Sequence, residues 1–391
     1  MSIADFDLDD DRLRRSGSVK WTYGGPEVLP AWVAEMDVAV CPPVAAALHR
    51  AVDDGALGYP ALDQDTTLRE ATSGFLAERF GWAPDPALVM STGDVMAGIM
   101  LALWALCDPG PVVVPVPSYP PFLAAVPWTG RRLIQVPMIG PNAENPSWTM
   151  DLDRIEAALA AGARTVLISN PHNPTGRCFS RAELEGLRDV VLRHRARVIS
   201  DEIHAPLALS GAVHVPYATL DGTAEHVTTL VAASKAWNLP GLKCAQIVLG
   251  TAADAAVLDA LPPVTNHGVS PLGVIATIAA YTEGRPWLDS LVAELGDRRT
   301  QLDELITAVL PTVTWTPSEG TYLAWLDARG TGLDDPAATA LERAKVMVNR
   351  GSTFSDDPAG PSPYRGFVRV NYGTSAERLD RVVKKLADAW V

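Results

Sequence analysis

The sequence predicts an α/β fold, with a mostly parallel central sheet in a large domain and a smaller α+β domain beside it. Three observations carry this. Short apolar runs rich in β-branched residues alternate with longer helix-period stretches through the middle of the chain, as strands joined by crossover helices do. Those runs are apolar throughout, which suits strands covered on both faces. The last third then changes character, with one long amphipathic stretch followed by isolated strand-like runs.

The predicted strands of the large sheet are Val112–Pro115, Thr165–Ser169, Arg197–Ser200, Val227–Val231 and Gln246–Leu249. Helices are predicted over Val95–Cys107, Asp151–Ala161 and Arg181–His194, the last with Ser180 as N-cap and Glu183 completing a capping box. From Trp287 an amphipathic pattern runs to Leu310. Strand-like Thr321–Leu326, a helix around Ala337–Arg343, strand-like Gly366–Asn371 and a closing helix follow. The large domain is therefore expected over residues 42–286, and the small one over 1–41 and 287–391.

Length and composition bound the function. The 391 residues allow two domains, and 48% apolar against 20% charged residues can bury a sizeable core. With 32 basic against 46 acidic residues, the formal charge is −14. No surplus of cations is present to neutralise phosphates, so a nucleic-acid partner is not expected; the acidity serves solubility. Cys41, Cys107, Cys178 and Cys244 form no C-x-x-C pair, which points to free thiols in a reducing compartment and no metal site. The N-terminus lacks the basic and apolar regions of a signal peptide. The longest apolar stretch, Met96–Cys107, is too short to span a bilayer. A cytoplasmic protein with no membrane partner is expected.

In open α/β sheets, ligands bind beyond the carboxyl ends of the strands. After Thr165–Ser169 comes Asn170-Pro171-His172-Asn173-Pro174-Thr175-Gly176, a tight loop that holds Asn173 at the sheet edge. An ordinary turn would read the same way. After Arg197–Ser200 come Asp201 and Glu202. Two acids ending a buried strand need partners; a protonated heterocyclic nitrogen would serve, and so would a helix cap or an arginine. After Val227–Val231 comes Lys235 in a small, apolar segment, where burial can lower the pKa of an amine that forms a Schiff base. Most lone lysines are instead solvated. Ser91-Thr92-Gly93-Asp94 leads into the apolar helix, a turn suited to phosphate or to a simple aspartate cap.

The order of these pieces, phosphate turn, asparagine loop, acid and lysine, is the layout of a fold-type I pyridoxal-5′-phosphate (PLP) enzyme. The chain resembles the class I/II aminotransferase superfamily, and within it the MalY/PatB-type cystathionine β-lyases. The motifs run nearly end to end: Ser18-Val19-Lys20-Trp21, Leu29 to Asp37, Gly58-Tyr59-Pro60, Ser118-Tyr119, the Asn173 loop, Ser200 to His204, Ser234-Lys235, Gly320 to Leu326 and Gly366 to Asn371.

The resemblance implies a role for each. Lys235 resembles the lysine that carries PLP and then takes the substrate Cα proton. Asp201 resembles the partner of the pyridine nitrogen. Asn173 and His204 are similar to the residues at the phenolic oxygen, with Asn173 also near substrate. Tyr119 resembles the ring stacked on the cofactor, and Arg369 the fork that grips the α-carboxylate. Tyr59 resembles a tyrosine that the neighbouring subunit contributes, acting with Lys235 and Tyr119 in catalysis, so a homodimer with shared sites is implied. Asp94 and Val95, through their backbone N–H groups, with Ser234 and Lys243, are implied on the phosphate side.

Two positions depart from the pattern. Ala232 stands where a serine is common, and Lys243 where an arginine is common; lysine binds phosphate as a point charge. Pro141–Trp148 and Ser352–Pro363 are expected to shape the pocket for the sulfur substituent.

The activity implied is β-elimination of a cysteine S-conjugate, an amino-acid substrate, giving a thiol, pyruvate and ammonia. An aminotransferase on the same scaffold, or a regulatory protein using the fold to bind a partner, are the alternatives.

Overall fold

The computed structural model describes residues 3–59, 62–266, 268–356 and 360–390. Its centre is a seven-stranded sheet: β1 (Val89–Thr92), β2 (Val112–Val116), β3 (Leu133–Pro137), β4 (Thr165–Ser169), β5 (Arg197–Asp201), β6 (Val227–Val231) and β7 (Ala245–Leu249). Their spatial order is β1-β7-β6-β5-β4-β2-β3. Strands β2 to β6 pair in parallel. Strand β7 runs antiparallel to both β6 and β1. Two reversals restore direction, so the end of β1 opens on the same edge as those of β4, β5 and β6.

The sequence reading misses two strands, β1 and β3, and these are the two edges of the sheet. Strands β2, β4, β6 and β7 are buried at every residue and carry the continuous apolar signature. β1 and β3 are only partly buried, so their sequences keep polar residues such as Ser91 and Gln135.

The helix Val95–Ala105 lies on the sheet through Gly98. A Cβ there would come within 2.6 Å of the Leu230 side chain, so a larger residue would force Leu230 to shift. Helix Arg181–His194 opens with the predicted capping box between Ser180 and Glu183.

Beyond the long helix Arg285–Val309, a four-stranded antiparallel sheet forms from Thr314–Trp315, Leu323–Asp327, Asn349–Arg350 and Phe367–Asn371. Its second strand starts two residues later than predicted because Thr321 adopts φ 75°. The helix expected around Ala337–Arg343 is one α-turn, Pro336–Thr339, continued as a wider π-turn over Ala340–Ala344.

The N-terminal segment joins this part of the molecule, with Leu29–Pro30 pairing in parallel with Val346–Met347. The buried Lys20–Asp37 ion pair (2.9 Å) braces the segment internally, and Arg378–Asp10 (2.7 Å) ties it to the closing helix Ala376–Trp390. Losing one member of the Lys20–Asp37 pair would strand a buried charge, at a cost of about 3–5 kcal/mol. No helix among the described residues is long and apolar enough to cross a membrane.

Candidate active site

The carboxyl edge of the sheet opens into a cavity of about 180 Å³, walled by Asn173, Asp201, His204, Ser234, Lys235 and Tyr119, with Asp94, Val95 and Lys243 at one end. Nine of the residues singled out from sequence meet here. Two do not line it: Arg369 lies one residue further in, and Tyr59 lies on the surface.

Asp201 ends β5, and its carboxylate accepts one hydrogen bond, from the Ile203 amide at 3.0 Å. Burial pushes its pKa up to about 7, against weaker downward pulls from that amide and from Lys235. Its neighbour Glu202 is fully used. It accepts from Ser200 Oγ (2.9 Å) and the Tyr217 amide (3.0 Å) and pairs with His214 (2.9 Å). Of the two adjacent acids, only Asp201 is a buried carboxylate without an ion-pair partner among the described residues.

Lys235 follows β6 and is half-buried at the cavity wall. Burial, helped by Arg369, lowers its amine to a pKa of about 8, opposed by Glu35 and Asp201. Its Nζ donates to the Ala34 carbonyl at 2.9 Å. His204 is also buried. Desolvation, then Lys235 and Arg369, hold its pKa well below the ordinary value, so the ring is neutral. Its Nδ1 bonds the Thr321 hydroxyl at 2.9 Å. Tyr119 presents its ring to the cavity, braced edge-on by Phe122 at 5.6 Å.

Arg369, on strand Phe367–Asn371, is buried. It donates to Asn173 Oδ1 (3.0 Å), Asn349 Oδ1 (2.7 Å) and the Trp32 carbonyl (3.0 Å). Its Nε finds no partner among the described residues. The guanidinium therefore reaches the cavity through Asn173.

A strap of the N-terminal segment roofs the site. Five consecutive carbonyls accept from side chains: Trp32 from Arg369, Val33 from Asn371 (2.6 Å), Ala34 from Lys235 and Tyr322 (2.8 Å), Glu35 from Lys20 (3.0 Å) and Asn371 (2.6 Å), and Met36 from Asn238 (2.9 Å). Sequence reasoning missed this roof, because backbone carbonyls leave no mark in composition or spacing. It also missed Thr321 and Tyr322 as site residues, although both fall within a motif it quoted.

At the anionic end, Asp94 caps the helix Val95–Ala105 by accepting from the Ala97 amide (2.8 Å). It also pairs with Lys243 (2.8 Å). The cap and the phosphate turn are thus the same residue. Of the two segments expected to shape the pocket, neither contributes a described residue to this cavity; residues 357–359 of the second lie outside the described residues. Pro141 and Trp148 instead line a separate cleft with Trp315 and Trp325. The hairpin carrying them folds against the small sheet rather than over the carboxyl edge.

These residues suit pyridoxal phosphate. The unpaired buried carboxylate of Asp201 calls for a cation such as a protonated pyridine nitrogen. The buried amine of Lys235, depressed to about 8, is a nucleophile for an aldehyde near neutral pH. The helix N-terminus, Ser234 and Lys243 offer donors to a phosphate, with Asp94 as a like charge beside them.

Residues 33–386 match the family described as Aminotransferase class I and II, and the chain belongs to it. Within that family it is similar to the "Cystathionine beta-lyase" of Corynebacterium glutamicum, at 36% identity over 96% of this chain and 98% of that one. It is 32% identical to the "Cystathionine beta-lyase PatB" of Bacillus subtilis, over 98% of this chain and 99% of the relative. Among solved structures, the PLP-bound C-S lyase from Staphylococcus hominis superposes with a TM-score of 0.88 at 25% identity, covering 99% of both chains.

Proposed function

We propose that this chain is a carbon–sulfur β-lyase that cleaves cystathionine or another cysteine S-conjugate to a thiol, pyruvate and ammonia. Its cofactor is pyridoxal 5′-phosphate, and it is an enzyme of the C-S lyase and cystathionine β-lyase group. One observation carries the reading: a depressed amine, Lys235, and an unpaired buried carboxylate, Asp201, wall the same cavity.

PLP, when bound, supplies an electron sink conjugated to the substrate Cα. Asp201 holds a positive charge on the ring nitrogen. Tyr119 packs on the ring face, while Asn173 and His204 hold the phenolic oxygen. Backbone N–H groups at Asp94 and Val95, with Ser234 and Lys243, take the phosphate. Arg369 fixes the substrate α-carboxylate beside Asn173, its buried fork already oriented by Trp32 and Asn349. Lys235 takes the proton from Cα, a task matched by an amine pKa of about 8. As the Cβ–S bond breaks, its electrons leave on sulfur and a Cα–Cβ double bond remains. Water then releases pyruvate and ammonia.

Tyr59 is 93% exposed and does not line its own cavity. We assign it to the site of a second copy, so the working unit is a homodimer. The four cysteines, all free and buried, support a cytoplasmic location. We divide the chain as the sequence suggests, at residues 42 and 287.

The test is sustained release of pyruvate and thiol from cystathionine or an S-alkyl cysteine with no keto acid present. If turnover stops at one equivalent and resumes only when a keto acid is added, the protein is an aminotransferase.

A further inference from the structure

Thr321, beside the cavity, is tightly constrained. It is β-branched, it is 1% exposed, and it sits at φ 75°, where such residues are outliers. Three hydrogen bonds hold it there. Its amide donates to the Leu207 carbonyl (3.1 Å), its carbonyl accepts from the Tyr372 hydroxyl (2.7 Å), and its own hydroxyl meets His204 Nδ1 (2.9 Å). Glycine satisfies this backbone at no steric cost. What threonine adds is a hydroxyl aimed at one nitrogen of a cavity histidine. Strained positions held by many contacts mark places where function fixes the residue.

We propose that Thr321 is a positioning residue that sets the tautomer of His204: its hydroxyl donates to Nδ1, leaving the proton on Nε2 as a donor into the cavity. Which imidazole nitrogen carries the proton is decided by the bond the other makes. The groups facing His204 are Lys235 from the loop after β6, Arg369 and Tyr322 from the small sheet, and Asp201 from β5. Burial, with both cations, keeps the ring neutral, so a single proton must be placed, and among the described residues only the Thr321 bond places it. The inference rests on the cofactor reading above, in which Nε2–H donates to the phenolic oxygen. That donor stabilises negative charge on the oxygen and makes the lysine-linked nitrogen beside it less basic.

The experiment is a pH titration of the visible absorption band of the PLP-loaded protein, for the unaltered chain and for Thr321→Val, Thr321→Gly and Thr321→Ser. Loss of the hydroxyl in the Val and Gly variants should raise the midpoint by about one pH unit, a tenfold change in proton affinity. The Ser variant should stay with the unaltered chain. Val keeps the backbone demand and Gly removes it, so a shift common to both reports the hydroxyl. If one of them fails to fold, the other still decides. An unmoved midpoint without the hydroxyl, or a Ser variant displaced as far as Val, overturns the proposal. An unaltered chain that shows no visible band with PLP overturns the cofactor reading instead.

Discussion

Asp201→Asn removes one charge from the cavity while keeping its shape, and it should move stability and catalysis in opposite directions. In the protein without cofactor the carboxylate is fully enclosed, and its pKa is raised from 3.8 to about 7. A raised carboxylate pKa means that the folded state binds the proton more tightly. The contribution is intact below pH 3.8 and is lost as pH rises through about 7. Three pH units correspond to about 4 kcal/mol as a ceiling, and the unmet bonds of the new amide return about 1–3 kcal/mol of it. The cofactor-free variant should therefore be more stable than the parent by about 1–3 kcal/mol at about pH 8.5, with the gain shrinking by about 2 kcal/mol at about pH 5.5. Denaturant unfolding at both pH values measures this. In the loaded enzyme the same change should cut turnover per bound cofactor by about 10²–10³-fold, by removing charge stabilisation where charge develops. Equal or lower stability of the variant at the higher pH, or a gain that does not depend on pH, refutes the burial argument. A normal rate per bound cofactor refutes the electronic role.

Lys235→Ala should abolish both turnover and the visible band with PLP, while far-UV circular dichroism and the unfolding midpoint report an intact fold. Because burial holds the Lys235 amine at about 8, PLP should load onto the cofactor-free protein faster as pH rises and level off above about 8, as stopped-flow absorbance would show. Glu35 pulls that pKa upward, so Glu35→Gln should move the break to lower pH. Mixing inactive Lys235→Ala and Tyr59→Phe chains should restore activity, with one competent site per heterodimer; a verified heterodimer that stays inactive removes Tyr59 from the shared site.

The parts of the site that read clearly from sequence are those where a polar residue interrupts an apolar run. Asp201 and Lys235 stand out because the first ends a largely buried strand and the second shortly follows a fully buried one, and Asn173 because two prolines frame it. The capping box at Ser180 reads for the same reason: its chemistry is local. What stayed hidden is non-local. The edge strands β1 and β3 lack the apolar signature because one flank of each is open. Glu202 looked equivalent to Asp201 until His214, Ser200 and the Tyr217 amide claimed it. Asp94 reads from sequence as either cap or phosphate turn; its side chain accepts from the Ala97 amide as the cap, which leaves only its backbone N–H for the phosphate side. The loop Pro141–Trp148 reads as pocket-forming only until its packing against the small sheet is seen.

The strap of carbonyls from Trp32 to Met36 has a consequence for the order in which the enzyme is built. These residues are made early, yet their donors come much later in the chain: Lys235 is 201 residues downstream of Ala34, and Asn371 is 338 downstream of Val33. On a ribosome adding about 5–20 residues per second, the strap waits tens of seconds for its partners. The large sheet is by then complete, since its last strand ends at Leu249. A nascent chain can thus complete its sheet, with Lys235 and Asn238 able to meet Ala34 and Met36, before Arg369 and Asn371 emerge to fix the rest of the roof. During that interval the roof is held at only part of its length, so cofactor capture can precede full closure of the site.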